Sequence, residues 1–589
     1  MKQIVTMLIV LSALTPYASR AVNKLKQEKV PAHKQTLVSN RTLDWGTYFA
    51  GPSDQHATCM AYGDSGCVYI AGYTTSTSNI ATSGAYSTVF GGEDDVFLAK
   101  FDSTGHMRWA TYYGGAGSDE AYGLAYDGNG NIYLSGLTSS ITGIATPGSY
   151  QTSYAGGGDA FLAKFSTSGS LVWGTYYGGS AVDYTTGMCI DKSGYVYITG
   201  RTHSIDSIAT SGAFETTSGD TVNTSGFIAK FNDSGAIIWA TYYGGDDDVE
   251  PRGICSDDSG YIYMAGTTGS DVGIATPGAF LDSLDSISDD AGFIVKFTSQ
   301  GIRKWGTYFG SGGSNILEGV TCDKTGNVLV TGSTYCTGHI ATPGSFKSTL
   351  SGTANAYLTK FNSSGAILWG TYYGNTGDGS NALALDTAGN IYITGSTTSV
   401  TSIATTGAYQ TDYAGEQDAF IAEFTPTGSL EWGSYYGGSD YDEAFGVACD
   451  KNGYVYIAGS TKSASGITSA GAYDTVFTAA VSGDDVFLAR FGPVATNHVS
   501  VNQLNWNEPE FIIFPDPAKD VLHISTRNLP QTAMNLNVFN MAGKLVINLS
   551  ISGNPIDYII PLDNLECGEY ISELQYEGKN ILNKFTIVR

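Results

Sequence analysis

One aromatic motif recurs seven times along this chain, and its spacing constrains the fold more than any other feature. Trp-[Gly/Ala]-[Thr/Ser]-Tyr-[Tyr/Phe] begins at Trp45, Trp109, Trp173, Trp239, Trp305, Trp369 and Trp432, at intervals of 64, 64, 66, 66, 64 and 63 residues. A fixed period of this size marks an array of supersecondary units. Each unit predicts four strands. In one unit these are AYGLAYD (121–127), NIYLSGLTS (131–139) after the turn DGNGN, DAFLAKF (159–165) after a long polar loop, and LVWGTYYGG (171–179) after STSGS. The runs are short, aromatic and β-branched, and bounded by Gly, Asn, Asp and Ser; no window holds a helical period. A β-solenoid shares such spacing, but the long excursion in every unit and the single aromatic motif per unit favour propeller blades.

The strand counts bear on closure. The chain opens with a Trp strand, TLDWGTYF (42–49), that has no FLAKF-type partner before it, and the array ends with DVFLARF (485–491), which has no Trp strand after it. The two orphans fit each other, so 42–49 is expected to be the outer strand of the last blade, removing an open sheet edge. The second strand carries Gly72, Gly136, Gly200, Gly266, Gly332, Gly395 and Gly459, read as close approach between neighbouring blades. Through WGTYYGG, D-x-x-G-[NY]-[IV]-Y and DAFLAKF, residues 42–491 resemble the SBBP repeat family of bacterial surface and secreted proteins. That resemblance implies a seven-bladed β-propeller; it says little of function, because propellers host many activities.

Residues 1–21 read as a secretory signal peptide, with Lys2, an apolar run from Ile4 to Leu14, and Ser19-Arg20-Ala21. The run is too short to span a bilayer, and no transmembrane segment is expected. Residues 22–41, with Lys24, Lys26, Lys29, Lys34 and Arg41, read as a polar spacer. The chain is acidic, at −26, although only 14% of its residues are charged. That balance argues against nucleic acid and anionic membrane, and leaves cations, neutral glycans and basic proteins open. The eight cysteines do not form a disulfide framework by spacing. Cys189, Cys255, Cys322 and Cys449 look like small buried apolar residues, and Cys59 and Cys67 flank a turn on the order of 10 Å apart. Thiols are therefore expected throughout.

Each connection into a first strand carries an acid or amide: Asp54, Asp119, Asp183, Asp248, Asn315, Asp378 and Asp442. A carboxylate ring at a channel mouth could hold a cation or meet hydroxyl-rich or basic ligands; alternatively each Asp hydrogen-bonds its own turn. The turns at Asp127, Asp191, Asp257, Asp323, Asp386 and Asp450 resemble the start of a calcium loop but lack its distal Glu, and a hairpin turn suffices to explain them. No cofactor is expected, with calcium the one candidate, and no metal ligand is assigned. Loop aromatics Tyr86, Tyr150, Phe214, Phe280, Phe346, Tyr409 and Tyr473 could stack on sugars, although anchoring their own loops is the favoured reading. Lys100, Lys164, Lys230, Lys296, Lys360 and Arg490, with Glu423 in their place once, read as stems lying over the blade with exposed heads. GxSxG, HExxH, P-loop and CxxC are absent, and no catalytic residue is assigned. The pattern breaks most at Asp246-Asp247-Asp248, at 283–290 and at Gly312, Gly313 and Asn315, where a unique site would be sought.

After Phe491 the repeat stops. A linker (492–510) leads to about seven short strands over 511–589, the pattern of a small Ig-like β-sandwich. The tail resembles the type A C-terminal sorting domain of the type IX secretion system of Bacteroidota. Its landmarks are Pro515 and Pro517 around Asp516, where the family has Pro-Asn-Pro, then Gly543-Lys544, Gly568 and Tyr570, and Lys584-Phe585. The resemblance implies passage through the periplasm and across the outer membrane, with the type IX machinery as partner, to the cell surface or medium. The resulting expectation is a non-catalytic binding or adhesion module with a glycan or protein ligand at the propeller rim. Its rivals are an extracellular polysaccharide-directed enzyme and a structural surface-layer protein.

Overall fold

The computed structural model describes residues 41–493, except 64–65, 219–221, 285–289 and 479–482; in the tail it describes 510–514, 518, 521–527, 534–541, 543–551, 556–562, 564–576 and 579–587. The signal-peptide reading, residues 22–40 of the spacer, most of the linker, Pro515 and Pro517 lie outside the described residues. The chain divides into two compact units, 1–496 and 497–589, and among the described residues the thirty-five elements are all strands.

In the first unit seven antiparallel sheets of four strands follow one another. Sheets one to six are built from consecutive strands within 55–113, 119–177, 183–243, 249–309, 315–373 and 378–436. Their strands are called a to d in chain order. In sheet seven, Asp442–Cys449, Val455–Thr461 and Asp485–Phe491 take Leu43–Phe49 as the fourth strand, with Trp45 opposite Arg490 and Phe49 opposite Val486. Apolar residues on both faces of each sheet feed a core shared by successive sheets. Tyr69 and Leu98 of sheet one, for example, pack with Leu134 and Phe161 of sheet two. A further cluster joins Phe49, Tyr456 and Leu488 of sheet seven to Val68, Ile70 and Phe97 of sheet one.

The aromatic motif fastens sheet to sheet. The Trp109 indole donates to the Thr167 carbonyl in the c–d turn of the next sheet at 3.0 Å. Tyr112 donates to Ser76 O in the long loop of its own sheet at 2.8 Å, and Tyr113 to Ile144 O in the next sheet's loop at 2.9 Å. The loop aromatics anchor their own loops, as Tyr86 does on Tyr113 and Tyr150 on Tyr177, and also reach forward. Tyr86 meets Phe165, Tyr150 meets Phe231, and Tyr473 of sheet seven meets Phe101 of sheet one, with ring centroids 5.9, 6.1 and 6.2 Å apart. Edge-on pairs of this kind each add about 1 kcal/mol beyond burial.

The third-strand cations do not present free heads. Lys100, Lys230 and Lys296 donate to the turn carbonyls of Thr167, Ser299 and Ser363 in the following sheets at 3.1, 3.0 and 3.0 Å. Sheet six has no such turn ahead of it, because the fourth strand of sheet seven comes from the N-terminus. There Glu423 replaces Lys, and Arg41 fills the gap. Arg41 is 3% exposed; its Nε lies 2.7 Å from Glu423 Oε2, and its Nη1 donates to Gly453 O and Gly492 O. Arg41 therefore belongs to the packed unit and not to the spacer. At the same junction the buried Trp432 indole N–H has no acceptor among the described residues.

The cysteine expectation needs correction. Cys255 and Cys322 form a disulfide with Cα atoms 6.2 Å apart. Spacing within one hairpin argued against bridges, but this bridge runs between sheets four and five, whose inner strands converge. The penultimate residue of one strand a faces the last residue of the next. By the same rule Cys189 meets Ser256, to which it hydrogen-bonds.

In the second unit a three-stranded sheet (Glu510–Phe514, Val521–Arg527, Ile556–Pro561) and a four-stranded sheet (Leu545–Ile551, Met534–Asn540, Gly568–Tyr576, Lys579–Ile587) share a core of Leu522, Ile524, Leu536, Val538, Leu574 and Phe585. Gly543, at φ +76°, makes the turn before Lys544, whose amide donates to Asn540 Oδ1. Tyr570 stacks on Phe585 at 5.6 Å and donates to Glu566 O. Gly568, at φ +151°, opens the strand that carries Tyr570. Lys584 pairs with Glu569 at 2.6 Å.

Candidate functional site: a central cavity lined by all seven sheets

The site begins with an irregularity repeated in every strand a. In sheet one, Ala57 pairs with Gly72 and Cys59 with Ala71, so Thr58 is left over as a β-bulge. The same shift leaves out Tyr122, Thr186, Arg252, Glu318, Asn381 and Phe445. The recurrent second-strand glycines serve this bulge. A Cβ on Gly200 would lie 1.9 Å from Tyr184 O of its own sheet, so their close approach is to strand a and not to a neighbouring blade. A bulge re-aims the unpaired residue, and here all seven line one cavity of about 720 Å³. His56, Tyr73, Tyr184, Arg201 and Glu443 complete the polar and aromatic lining.

The cavity has two arcs. Sheets seven, one, two and three bring Phe445, His56, Tyr73, Tyr122 and Tyr184. His56 lies on Tyr73 with centroids 4.8 Å apart, and Tyr122 is 6.4 Å from Tyr184. Sheets three to seven bring charge. Arg201 Nη1 donates to Glu250 Oε1 at 2.6 Å; Arg252 stands 3.4 Å from Glu250 and 3.6 Å from Glu318. Asn381 donates to Glu443 at 2.8 Å. Burial raises the pKa of Glu318 above the usual carboxylate value, opposed by Arg252 and Arg201 and reinforced by Glu250 and Glu443. Burial, with the charge of Arg252, lowers Arg201. The Thr58 and Thr186 hydroxyls donate to Ala121 O and Pro251 O in the next sheets.

The acidic ring read from the sequence is not an open rim. Asp119, Asp183, Asn315, Asp378 and Asp442 are at most 1% exposed and hold the fold. Asp119 Oδ2, for example, accepts from Gly115 N at 2.8 Å and Ser140 Oγ at 2.7 Å. Asp54 and Asp248 stand one residue before the matching place, which Gln55 and Val249 occupy. Each buried acid faces the start of strand c in the preceding sheet. Around the point where a Gly114 Cβ would sit, Asp119 Oδ2 is 2.5 Å away and Asp95 Oδ1 2.9 Å; Asp183 with Asp159, and Asp442 with Asp418, repeat this around Gly178 and Gly437. Burial pushes Asp95, Asp159, Asp418 and Asp442 each up to about 6, with backbone N–H groups opposing the rise at the three strand-c acids and the Thr461 hydroxyl opposing it at Asp442.

In the hairpin turns Asp127 Oδ1 accepts the amides of Asn129 and Asn131 at 2.7 and 3.0 Å, and Asp191 does the same with Ser193 and Tyr195. Among the described residues no group of three or more His, Cys, Asp or Glu side chains is placed to hold a metal ion, and no helix is long and apolar enough to cross a membrane. The pattern breaks at Asp246–Asp248 and Gly312–Gly313 fall outside the cavity lining. The cavity residues were missed although a signal existed: the second and fourth positions of strand a differ from unit to unit.

Repeated four-stranded sheets that each give a residue to one central cavity define a β-propeller. Residues 108–141, 172–206, 238–273 and 431–466 match the family described as beta-propeller repeat (SBBP), and 512–588 match the secretion system C-terminal sorting domain. The chain carries SBBP propeller repeats and a type IX sorting domain, which indicates export by that machinery to the cell surface or outside. Regulatory protein FlaEY of Caulobacter vibrioides is 38% identical over 76 residues, 13% of this chain and 8% of that protein. An uncharacterized WD repeat-containing protein of Acanthamoeba polyphaga mimivirus is 22% identical over 441 residues, 63% of this chain and 31% of that protein. The chain thus spans less than a third of either relative. Among solved structures, Synechocystis apocarotenoid oxygenase aligns at 8% identity and TM-score 0.29, covering 89% of this chain and 98% of that one. A puromycin hydrolase aligns at 10% and 0.34, covering 81% and 59%. Both likenesses are too distant to carry an argument about chemistry.

Proposed function

We propose that the first unit is a seven-bladed propeller closed by strand Leu43–Phe49, and that it is an exported, non-catalytic binding module that takes its ligand in the central cavity. Closure is supported by the core shared between sheets seven and one and by Gly446, where a Cβ would meet Met60 of sheet one at 2.6 Å. The tail, by its two sheets around one core, is read as an Ig-like sandwich.

One observation carries the binding role. The fold asks the same thing of every bulge, and the residue after it is small in every sheet (Cys59, Gly123, Gly187, Gly253, Gly319, Ala382 and Gly446), yet at the bulge itself the residues are Thr58, Tyr122, Thr186, Arg252, Glu318, Asn381 and Phe445. An asymmetric lining in a symmetric frame is what an asymmetric ligand requires, and a cavity with a few convergent polar groups is the default binding site. Among the described residues, Ser460, His56 and Asp484 bring together the residue types of a catalytic triad. Ser460 Oγ and Asp484 both approach the same His56 nitrogen, Nδ1, at 3.4 and 3.3 Å, whereas a relay uses the two ring nitrogens separately. Full-length protein presented to immobilised polysaccharides and matrix proteins is expected to be retained without releasing reducing ends, and an Arg252→Ala, Phe445→Ala variant is expected to wash through. Release of product would overturn the non-catalytic reading; undiminished retention by the variant would move the site out of the cavity.

A further inference from the structure

We infer that the cavity's ligand is a neutral oligosaccharide, an inference that rests on the central cavity being the binding site. The geometry has two halves that suit the two aspects of a sugar ring. Phe445, Tyr73, Tyr122 and Tyr184 form the aromatic arc, whose faces suit the apolar C–H face of a pyranose. Across from it, Arg252 and Glu318 lie 3.6 Å apart, beyond direct hydrogen-bond reach. A hydroxyl both donates and accepts, so it can sit between guanidinium and carboxylate and satisfy both.

The charges of the arc are already engaged with one another, which favours a neutral ligand. Two guanidiniums, Arg201 and Arg252, stand among three carboxylates, Glu250, Glu318 and Glu443. A ligand carboxylate would add a fourth anion beside Glu318, whose ionisation burial and neighbouring carboxylates already oppose. A ligand ammonium would stand beside Arg201 and Arg252, which already oppose each other. A ligand charge of either sign would have to break into pairs that these groups already make with one another, Arg201 with Glu250 and Arg252 with Glu250 and Glu318, leaving a displaced partner uncompensated. A polyol meets neither penalty. The cavity, at about 720 Å³, exceeds what one sugar unit needs and falls within the ~300–1,000 Å³ range of ligand sites.

The test uses the full-length chain and calorimetric titration with three probes: neutral gluco-, manno- and xylo-oligosaccharides, an oligogalacturonate, and an oligolysine. A neutral probe is expected to bind with little dependence on salt, because no net charge is paired on binding. Glu318→Ala and Phe445→Ala are each expected to weaken it about ten-fold or more, with melting temperatures compared to establish folding; Arg252→Gln replaces either variant that fails to fold. Oligogalacturonate or oligolysine binding that falls steeply with salt and is lost in the same variants would overturn the ligand class and leave the cavity as the site. A neutral probe bound equally by parent and variants would overturn the cavity itself. Failure of every neutral probe would overturn the class.

Discussion

Asp418→Asn is expected to make the protein more stable at pH 8 and slightly less stable at pH 4. Asp418 and Asp442 belong to successive blades, and both are fully buried. Their carboxylates converge on one point, where a Gly437 Cβ would lie 2.6 Å from Asp442 Oδ2 and 3.1 Å from Asp418 Oδ1. Burial raises each to about 6, whereas an unfolded Asp titrates near 4. The folded state therefore holds a proton that the unfolded state releases first. Below about pH 4 both states are protonated and the pair costs nothing; stability falls as pH rises through about 6, and the full penalty persists above it. At Asp418 alone a shift of about two units is worth about 3 kcal/mol.

The protein already contains the proposed change in a neighbouring blade interface. Asn355 stands opposite Asp378, its Nδ2 3.5 Å from Asp378 Oδ2, while its Oδ1 accepts Ser351 N at 3.0 Å. In Asp418→Asn the corresponding oxygen would accept Ala414 N, now 3.0 Å from the carboxylate. Replacing the protonated carboxyl by an amide, which must re-make a neutral hydrogen bond, costs about 1 kcal/mol at either pH. The net expectation is a gain of about 2 kcal/mol at pH 8 and a loss of about 1 kcal/mol at pH 4. Urea midpoints of parent and variant at the two pH values measure this directly. A parent equally stable at both, or a variant weaker at pH 8, would refute the account in which burial raises Asp418.

Cys255→Ser is expected to lower the urea midpoint, by up to about 4 kcal/mol for a bridge spanning 67 residues, and added reductant should then destabilise the parent and not the variant. Ser256→Cys is expected to cross-link to Cys189 on oxidation, read as one alkylatable thiol fewer than in the parent, since Cys189 already hydrogen-bonds to Ser256. Arg41→Ala leaves Glu423 buried without its charge partner and should cost about 3 kcal/mol; adding Glu423→Gln should recover much of that in the same denaturation assay. Gly200→Ala, whose Cβ would lie 1.9 Å from Tyr184 O, should cost about 1–3 kcal/mol by overpacking.

Repetition made the fold legible, and what escaped the sequence reading lay between repeats or at their seam. Each Trp, Tyr and third-strand Lys recurs because each blade must grip the next in the same way, as Trp109 grips Thr167 O. The disulfide escaped because Cys255 and Cys322 are offset by one place in their strands, and only converging inner strands bring them together. Arg41 escaped because the residues around it are polar; its burial depends on a turn that the last blade lacks. Asp54 and Asp248 were placed one residue early because nothing local distinguishes an acid before the strand from one inside it. Gln55 and Val249 show that the buried place tolerates loss of the acid.

The site was legible by the opposite criterion. Regularity directs attention to the acids that recur, and recurrence is a mark of service to the fold: Asp119, Asp183 and Asp442 are buried and hydrogen-bonded alike. The positions that disagree line the cavity, and two of them, Arg252 and Glu318, stand in adjacent blades within a few residues of the recurrent second-strand pairing. What the sequence conceals is the bulge. Strict alternation gives no reason to expect Thr58, Tyr122 and their equivalents on the axis, because an unpaired residue interrupts the two-residue period. The second-strand glycine opposite it was visible and was read as contact between blades. Its steric demand is local instead: it makes room for the strand-a carbonyl beside the bulge. A residue held constant for packing and a residue that varies along the cavity lining thus sit across one strand pair, and the first is what aims the second.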